Sequence, residues 1–501
     1  REAAAIRIRS VYGAEYAGGF TGLMEPGSTA ETGGLSLLWG LIDVNNLLKV
    51  MQDIYPTEEN TAVYGPLREL TVDEWNAWVD AVGENNVYGE LLGEKNEAAA
   101  SKLAGHVSSE EEIAAWLAKI GYGTNVVAGR DTYEAGAYTG SAGVAGGYVG
   151  SMVAGTITNG QAHDTKLVRA MRAAGGFVGA AETGGAAKLG SADILDISLD
   201  LDKLLPSLVS VFVPVIKCSS VTGYRQGMTV ESFGSAPADD EGQHETDTKN
   251  GTGFAGGYIG FGSGAQIWGD ADTARDGNAQ RVSNTGCTVS GLRRVSATAY
   301  AGGFAGKLGA ASVASADTNI SDGFLQGLLD TVISGTGISE LANVLKISMS
   351  TVRNAHVKAY DEKAGAGDEQ WGFTIDAYTT GEGDNAQKVY PIAAGGFAGS
   401  IEATVLGELT TSGDDPDAAG GDNLYLPDIS VSGLRGVDGG NFAGGLVGLA
   451  DVAGAADVAS GDTEGAGASV LKLIGIGGVS VLQAFQPCIY AARVDGVADG
   501  L

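Results

Sequence analysis

A mainly β fold, a parallel β-solenoid of Ala-Gly-Gly-Phe-x-Gly repeats carrying α-helical insertions, is what the sequence predicts, and three observations predict it. One hexapeptide, Ala-Gly-Gly-aromatic/Leu-x-Gly, recurs seven times, starting at Ala17, Ala145, Ala174, Ala255, Ala301, Ala394 and Ala443. Glycine supplies 81 of 501 residues against only 10 prolines, without the strict Gly-X-Y spacing of collagen. Apolar residues make up 44% of the chain, too many for a disordered tract.

The motif itself predicts strands. Its fourth position holds Phe20, Tyr148, Phe177, Tyr258, Phe304, Phe397 and Leu446, and its fifth Thr21, Val149, Val178, Ile259, Ala305, Ala398 and Val447. In an extended chain these two positions point to opposite faces. Both are apolar, so the strand is expected to be buried on both sides, with position four inside and position five outside beneath helical insertions. Paired glycines weaken an ordinary strand. Here they imply a tight corner, or close backbone approach between neighbouring coils.

Longer context surrounds four of the copies. Upstream stand Ile8-Arg9-Ser10-Val11, Leu292-Arg293-Arg294-Val295 and Leu434-Arg435-Gly436-Val437, each with Val six residues before the motif's Ala, and Val168-Arg169-Ala170-Met171 reads as a shortened version. Downstream come apolar segments with leucines near i, i+3, i+4 and i+7, the rhythm of helices: Leu35 to Met51, Ile194 to Val213, Phe324 to Leu345 and Val470 to Phe485. The larger unit is thus two motif strands, one helical insertion and one variable loop. It divides the chain into residues 1–157, 158–284, 285–426 and an incomplete 427–501. True repeats bury their core against neighbours, which favours one stack over a string of independent domains.

The strings Ala-Gly-Gly-Phe-Val-Gly and Ala-Gly-Gly-Leu-Val-Gly, with an upstream Val-Ser-Gly-Leu, resemble the glycine-rich (GLUG-type) repeats of large bacterial cell-wall and adhesin proteins. The resemblance covers the seven motif strands and their flanks, not the helical insertions. It implies a β-helical stalk displayed on the cell surface or cell wall, although no LPxTG sorting motif is present. The chain opens Arg1-Glu2-Ala3 without an initiator Met and ends partway through a repeat, so it is expected to be part of something longer.

Sixty-one acidic against 30 basic residues give a formal charge of −31, which repels the phosphates of nucleic acid and anionic lipids. No apolar stretch reaches the ~20 residues of a membrane span. Partners are therefore expected to be adjoining repeats, identical copies, or surface glycans and proteins. Cys218, Cys287 and Cys488 form no CxxC or zinc spacing. Cys218 and Cys488, in corresponding places of the repeat, read as buried small hydrophobes. The alternative is a Cys218–Cys287 bridge between stacked coils, of the kind secreted chains often use.

Catalytic patterns are missing. His106, His163, His244 and His356 form neither HExxH nor HxxxH, and no serine lies in a GxSxG elbow. The segment around Lys307 imitates a phosphate loop, but Ala301 replaces its first glycine and Leu308 its Ser/Thr. Two acidic clusters offer oxygen ligands to calcium, the one cofactor the sequence suggests: Asp270, Asp272 and Asp276, and Asp414, Asp415, Asp417 and Asp422. The first lacks EF-hand spacing, and solvated loop carboxylates explain both without an ion. A polysaccharide lyase or glycosidase on the same scaffold is the enzyme alternative, with Asp239, Asp240 and Glu241 in its groove. No convergent Asp/Glu/His/Arg set accompanies them, so a structural or adhesive role without catalysis is the expectation.

Overall fold

The paired glycines split each hexapeptide into two short strands. The computed structural model describes residues 1–25, 56–65, 71–82, 106–113, 123–129, 143–183, 213–224, 227–234, 253–269, 286–310, 349–360, 372–380, 387–408, 428–451 and 486–497. The residue before the motif, its Ala and its first Gly form one strand, from Tyr16–Gly18 to Phe442–Gly444, and position five opens the next, from Thr21–Met24 to Val447–Asp451. The seven copies of each pair in chain order as two parallel sheets, here called the first and second motif sheets. A third seven-stranded sheet runs from Thr57–Glu59 to Cys488–Ile489, and a 13-stranded long sheet takes the remainder.

The chain thus repeats one circuit, from the long sheet through the two motif sheets to the third sheet and back. Each circuit lies on the preceding one in matched register, with Ala174 between Ala145 and Ala255, and Ile216 between Ile157 and Ile267. Among the described strands only the hairpin of Phe373–Thr380 with Gln387–Val389 is antiparallel. The molecule is mainly β with parallel sheets, as the sequence predicts.

Position four builds the centre of the core. Phe20, Tyr148, Phe177, Tyr258, Phe304 and Phe397 stack ring on ring along the pile of circuits, with successive centroids 5.3, 4.7, 5.0, 4.6 and 4.7 Å apart. Such contacts add about 0.5–1.5 kcal/mol each beyond area burial. The phenols inside are satisfied: Tyr148 bonds the Thr61 hydroxyl, and Tyr258 donates to the Ser219 carbonyl at 3.1 Å.

Both readings of the glycines hold, each for one glycine. A Cβ on the first, Gly175, would lie 1.8 Å from the carbonyl oxygen of Val178 in the same corner. A Cβ on the second, Gly176, would lie 1.9 Å from the carbonyl oxygen of Gly257 in the next circuit. Hydrogen bonding continues through this corner, where the carbonyl of Tyr258 accepts from both Phe177 and Val178 at 2.9 Å.

Position five does not face outward. Val149, Val178, Ile259, Ala305 and Ala398 are buried in the same cluster as the stacked rings. The bend at the glycines resets strand alternation, so positions one, four and five all turn inward. The outward row is instead the residue before the motif and the third residue of the second strand, where Val144, Ala173 and Ala180 pack with Phe254 and Phe261.

The segments expected as helices lie outside the described residues, apart from Val213. Described helical residues occur elsewhere, in a turn at residues 110–113 and in α1 (Val72–Val82). Thr71 and Glu74 cap it reciprocally: the Thr71 N–H donates to Glu74 at 3.0 Å, and the Glu74 N–H to the Thr71 hydroxyl at 3.3 Å. No helix of the described residues is long and apolar enough to cross a membrane.

The cysteines differ from expectation. Cys218 and Cys287 are unbridged thiols, and Cys218 and Cys488 are half-buried rather than buried. Nor are these two equivalent. Cys218 follows the Val215–Lys217 strand in positive φ, whereas Cys488 lies inside its strand, paired with Val405.

Candidate functional site: a column of cations and tyrosines on the long sheet

The motif of aliphatic, Arg, any residue and hydrophobe folds as a β-bulge. In Leu292-Arg293-Arg294-Val295 the outer two side chains are fully buried, while Arg293 is exposed and Arg294 half-buried. Two consecutive residues therefore face outward between two that face in. The register confirms it, since Met228 pairs with Leu292 but Thr229 already with Arg294, leaving Arg293 as the extra residue.

Arg435 is skipped in the same way between Leu434 and Gly436, and Lys166 between Thr165 and Leu167. Arg9 precedes the Ser10–Asn125 pair, its carbonyl accepting from Asn125 at 2.9 Å. The equivalent of the Arg motif is thus Thr165-Lys166-Leu167-Val168, not Val168-Arg169-Ala170-Met171. The sequence held the signal, because Val168 lies six residues before Ala174, the spacing shared by the other three copies.

The circuit between Lys166 and Arg293 and the one between Arg293 and Arg435 carry a tyrosine. The inward Val221 and Val357 are each followed three residues later by Tyr224 and Tyr360, after which the chain leaves the sheet and returns through a glycine. Gly227 and Gly372, both in positive φ, donate their N–H groups back to the Tyr224 and Tyr360 carbonyls at 2.8 and 3.1 Å, closing each loop at its base. The main chain seats both tyrosines beside the bulges, with Tyr224 donating to Thr165 at 2.9 Å and Tyr360 to Leu292 at 2.8 Å.

Lys166, Tyr224, Arg293, Tyr360 and Arg435 consequently follow one another up the sheet. The Lys166 ammonium lies 5.8 Å from the Tyr224 ring centroid. Gly227 packs under Arg293 and Tyr360, and Gly372 under Arg435: added Cβ atoms would meet their side chains at 2.6, 3.2 and 2.5 Å. Burial and then the charge of Arg9 lower the Lys166 pKa. Burial raises that of Tyr224, an effect Arg293 opposes and Tyr360 reinforces. Tyr64 is not a member, since it sits earlier in its circuit with its ring stacked on His163 at 4.9 Å.

Beside the column, outward charges are paired. Arg169 donates twice to one Glu231 oxygen, at 2.9 and 2.6 Å, and Arg294 lies 3.3 Å from Asp376. The arrangement places a basic residue at the bulge position of alternate circuits along one face of the long sheet.

All seven calcium candidates, Asp270, Asp272, Asp276, Asp414, Asp415, Asp417 and Asp422, lie outside the described residues, as do Asp239, Asp240, Glu241 and His244. Among the described residues no group of three or more His, Cys, Asp or Glu side chains is placed to hold a metal. His106 bonds Asp80 at 2.7 Å, and His356 bridges Asn354 and Ser430, both at 2.8 Å. Lys307 pairs with Glu402 at 3.3 Å and covers the Tyr300 ring. Comparison of the chain with family models, curated proteins and solved structures finds no match.

Proposed function

We propose that this chain is a structural and adhesive repeat segment of a secreted bacterial surface protein, a β-solenoid that works as a stalk or filament. The observation carrying this reading is the chain-order stacking of seven circuits whose first and last strands, among the described residues, pair on one side only. Large apolar side chains are exposed at both ends: Ile6, Tyr12, Tyr16 and Leu23 in the first circuit, Phe442 and Ile489 in the last. Open edges of this kind recruit further strands. Adjoining repeats of the same polypeptide, or identical copies stacked end to end, fit them, because backbone pairing overcomes the repulsion between two bodies of charge −31 where screening acts within about 10 Å.

Small-angle scattering on chains carrying increasing numbers of flanking repeats tests the proposal. Rods that lengthen by about 4.8 Å per added circuit support it. Globules of constant aspect ratio overturn it.

A further inference from the structure

We infer that this chain assembles head to tail with further copies of itself, the last circuit of one seating the first circuit of the next in the register the circuits already share. The inference rests on the stalk reading above and names its partner, a second copy, and which end meets which.

Two glycines carry it. In six circuits the second glycine of the motif faces a carbonyl of the circuit that follows: a Cβ would lie from 1.9 Å away at Gly176 to 2.2 Å at Gly19. The last circuit keeps this glycine, Gly445, with nothing within 4 Å. The glycine closing the motif faces the other way. A Cβ on Gly179 would lie 2.5 Å from the Gly150 carbonyl oxygen of the circuit before, and one on Gly448 2.7 Å from that of Gly399. Its counterpart in the first circuit, Gly22, meets only the Tyr16 carbonyl oxygen, at 3.6 Å. Each end thus holds a glycine fitted to a neighbour that no described residue supplies.

Hydrogen bonding gives the joint a direction. At the corner the N–H groups of one circuit donate to the next, as Gly176 does to Gly256 at 3.0 Å and Phe177 and Val178 do to Tyr258. Gly445, Leu446 and Val447 end that series, with no circuit after them among the described residues, and Gly18 and Phe20 begin it, with none before. Copies meeting by their last circuits would set donors against donors. Only last on first pairs them, a heterologous contact that repeats along an axis.

Side chains match in the same register. Phe442 and Tyr16, each 38% exposed, occupy the row in which Phe254 and Tyr300 stack at 5.8 Å. Leu446 comes against Phe20 and extends the ring column. One strand must yield, because Ala492–Gly496 lies one level beyond the last complete circuit, where Ala4–Ala5 of the incoming copy would fall. Ala4–Ala5 holds its neighbour by two register pairs and Ala492–Gly496 by five, so the incoming strand is displaced and Val494 takes the place of Ala5 beside Val63. One side chain opposes the joint. Glu58 stands in the inward row of Ile157, Ile216 and Ile267, accepts from Thr21 at 2.6 Å, and would lose water beneath the incoming Ile489.

Sedimentation velocity on the 501-residue chain at increasing concentration tests the joint. The expected result is linear multimers that grow with concentration and with salt, since screening relieves the repulsion between bodies of −31. Gly22→Ala and Gly445→Ala should each leave thermal unfolding of the monomer unchanged and raise the concentration needed for assembly about tenfold or more. Mixing these two variants restores one sound joint per pair and should stop at dimers. Glu58→Gln and removal of residues 1–5 should each lower the concentration needed. A chain that stays monomeric up to about 1 mM, alanine variants that assemble like the parent, a mixture that stays monomeric, or no gain from the last two changes overturns the inference. Scattering on chains with added repeats separates the two proposals. Rods built from chains that do not associate sink this inference alone and assign the ends to adjoining repeats of the polypeptide, whereas globules of constant aspect ratio sink the stalk.

Discussion

Gly176 and Gly257 meet backbone to backbone across neighbouring circuits, so closely that a Cβ on Gly176 would stand 1.9 Å from the Gly257 carbonyl oxygen. Carbonyl oxygens cannot rotate away as a flexible side chain can. Gly176→Ala is therefore expected to cost about 3 kcal/mol or more in urea unfolding. Gly436→Ala, where an added Cβ has nothing within 4 Å, should change stability by less than about 0.5 kcal/mol. Similar losses at the two sites would refute the close-approach account.

Phe304 tests the stacked core. Its ring contacts Tyr258 on one side and Phe397 on the other and is fully buried. Phe304→Ala should cost about 3–5 kcal/mol, because two circuits held in register cannot collapse into the void. Phe304→Leu should cost less, since Leu446 fills the same position in the last circuit. Equal costs would show that the ring's shape contributes nothing.

Alkaline pH should weaken the fold. Burial holds the Tyr148 and Tyr258 phenols well above their ordinary value of 10.0 and pushes the Cys287 thiol from 9.0 up to about 11. Folded groups keep their protons while unfolded ones begin to lose them near pH 9–10, so stability falls where the unfolded chain binds fewer protons. The contribution is intact below about pH 9 and declines as pH rises above it. Thermal unfolding from pH 7 to 11 should show a level Tm and then a drop, with a shallower drop for Tyr258→Phe. A Tm unchanged at pH 11 would contradict the burial of these groups.

Arg169 and Glu231 supply a charge test on the long sheet. Arg169→Ala would leave Glu231, 7% exposed, without the guanidinium that neutralises it. The expected loss is about 2 kcal/mol, below that of a fully buried pair because the Arg169 side chain is 24% exposed. Measuring Arg169→Ala, Glu231→Ala and the double variant should give a coupling in which the double is less damaging than the sum.

Much of the architecture was legible because backbone sterics write themselves into glycine. A position that tolerates no Cβ in six of the seven circuits, such as that of Gly176, appears as an unvarying letter, and the large apolar residue beside it marks the core. The orientation of position five was not legible, because two-residue alternation assumes a straight strand and the corner breaks it. Lys166 was not legible from the Arg pattern, because the bulge requires only an outward residue, which Lys and Arg satisfy equally. Tyr224 and Tyr360 stood beyond periodicity altogether. Their place depends on where the chain departs from the sheet, which hydrophobic pattern does not encode. Acidic clusters were conspicuous in composition, yet loop carboxylates carry no positional rule that would tell a ligand set from a solvated one.

The circuits also alternate in where the chain departs. Between the second motif sheet and the third sheet, Val153 leads to Thr156, Ser263 to Gln266 and Glu402 to Thr404 by the shortest turns, while in the circuits before and after them the strands ending at Met24, Glu182, Gly309 and Asp451 are followed much later in sequence by those starting at Thr57, Val215, Ser350 and Cys488. Neighbouring circuits are about 4.8 Å apart, which leaves little room for two long connections to start side by side. Skipping every other circuit roughly doubles the room at that corner. Length changes in one excursion then crowd no neighbour and shift no register, so insertions and deletions can accumulate there, over evolutionary time, while the strands that carry them stay fixed.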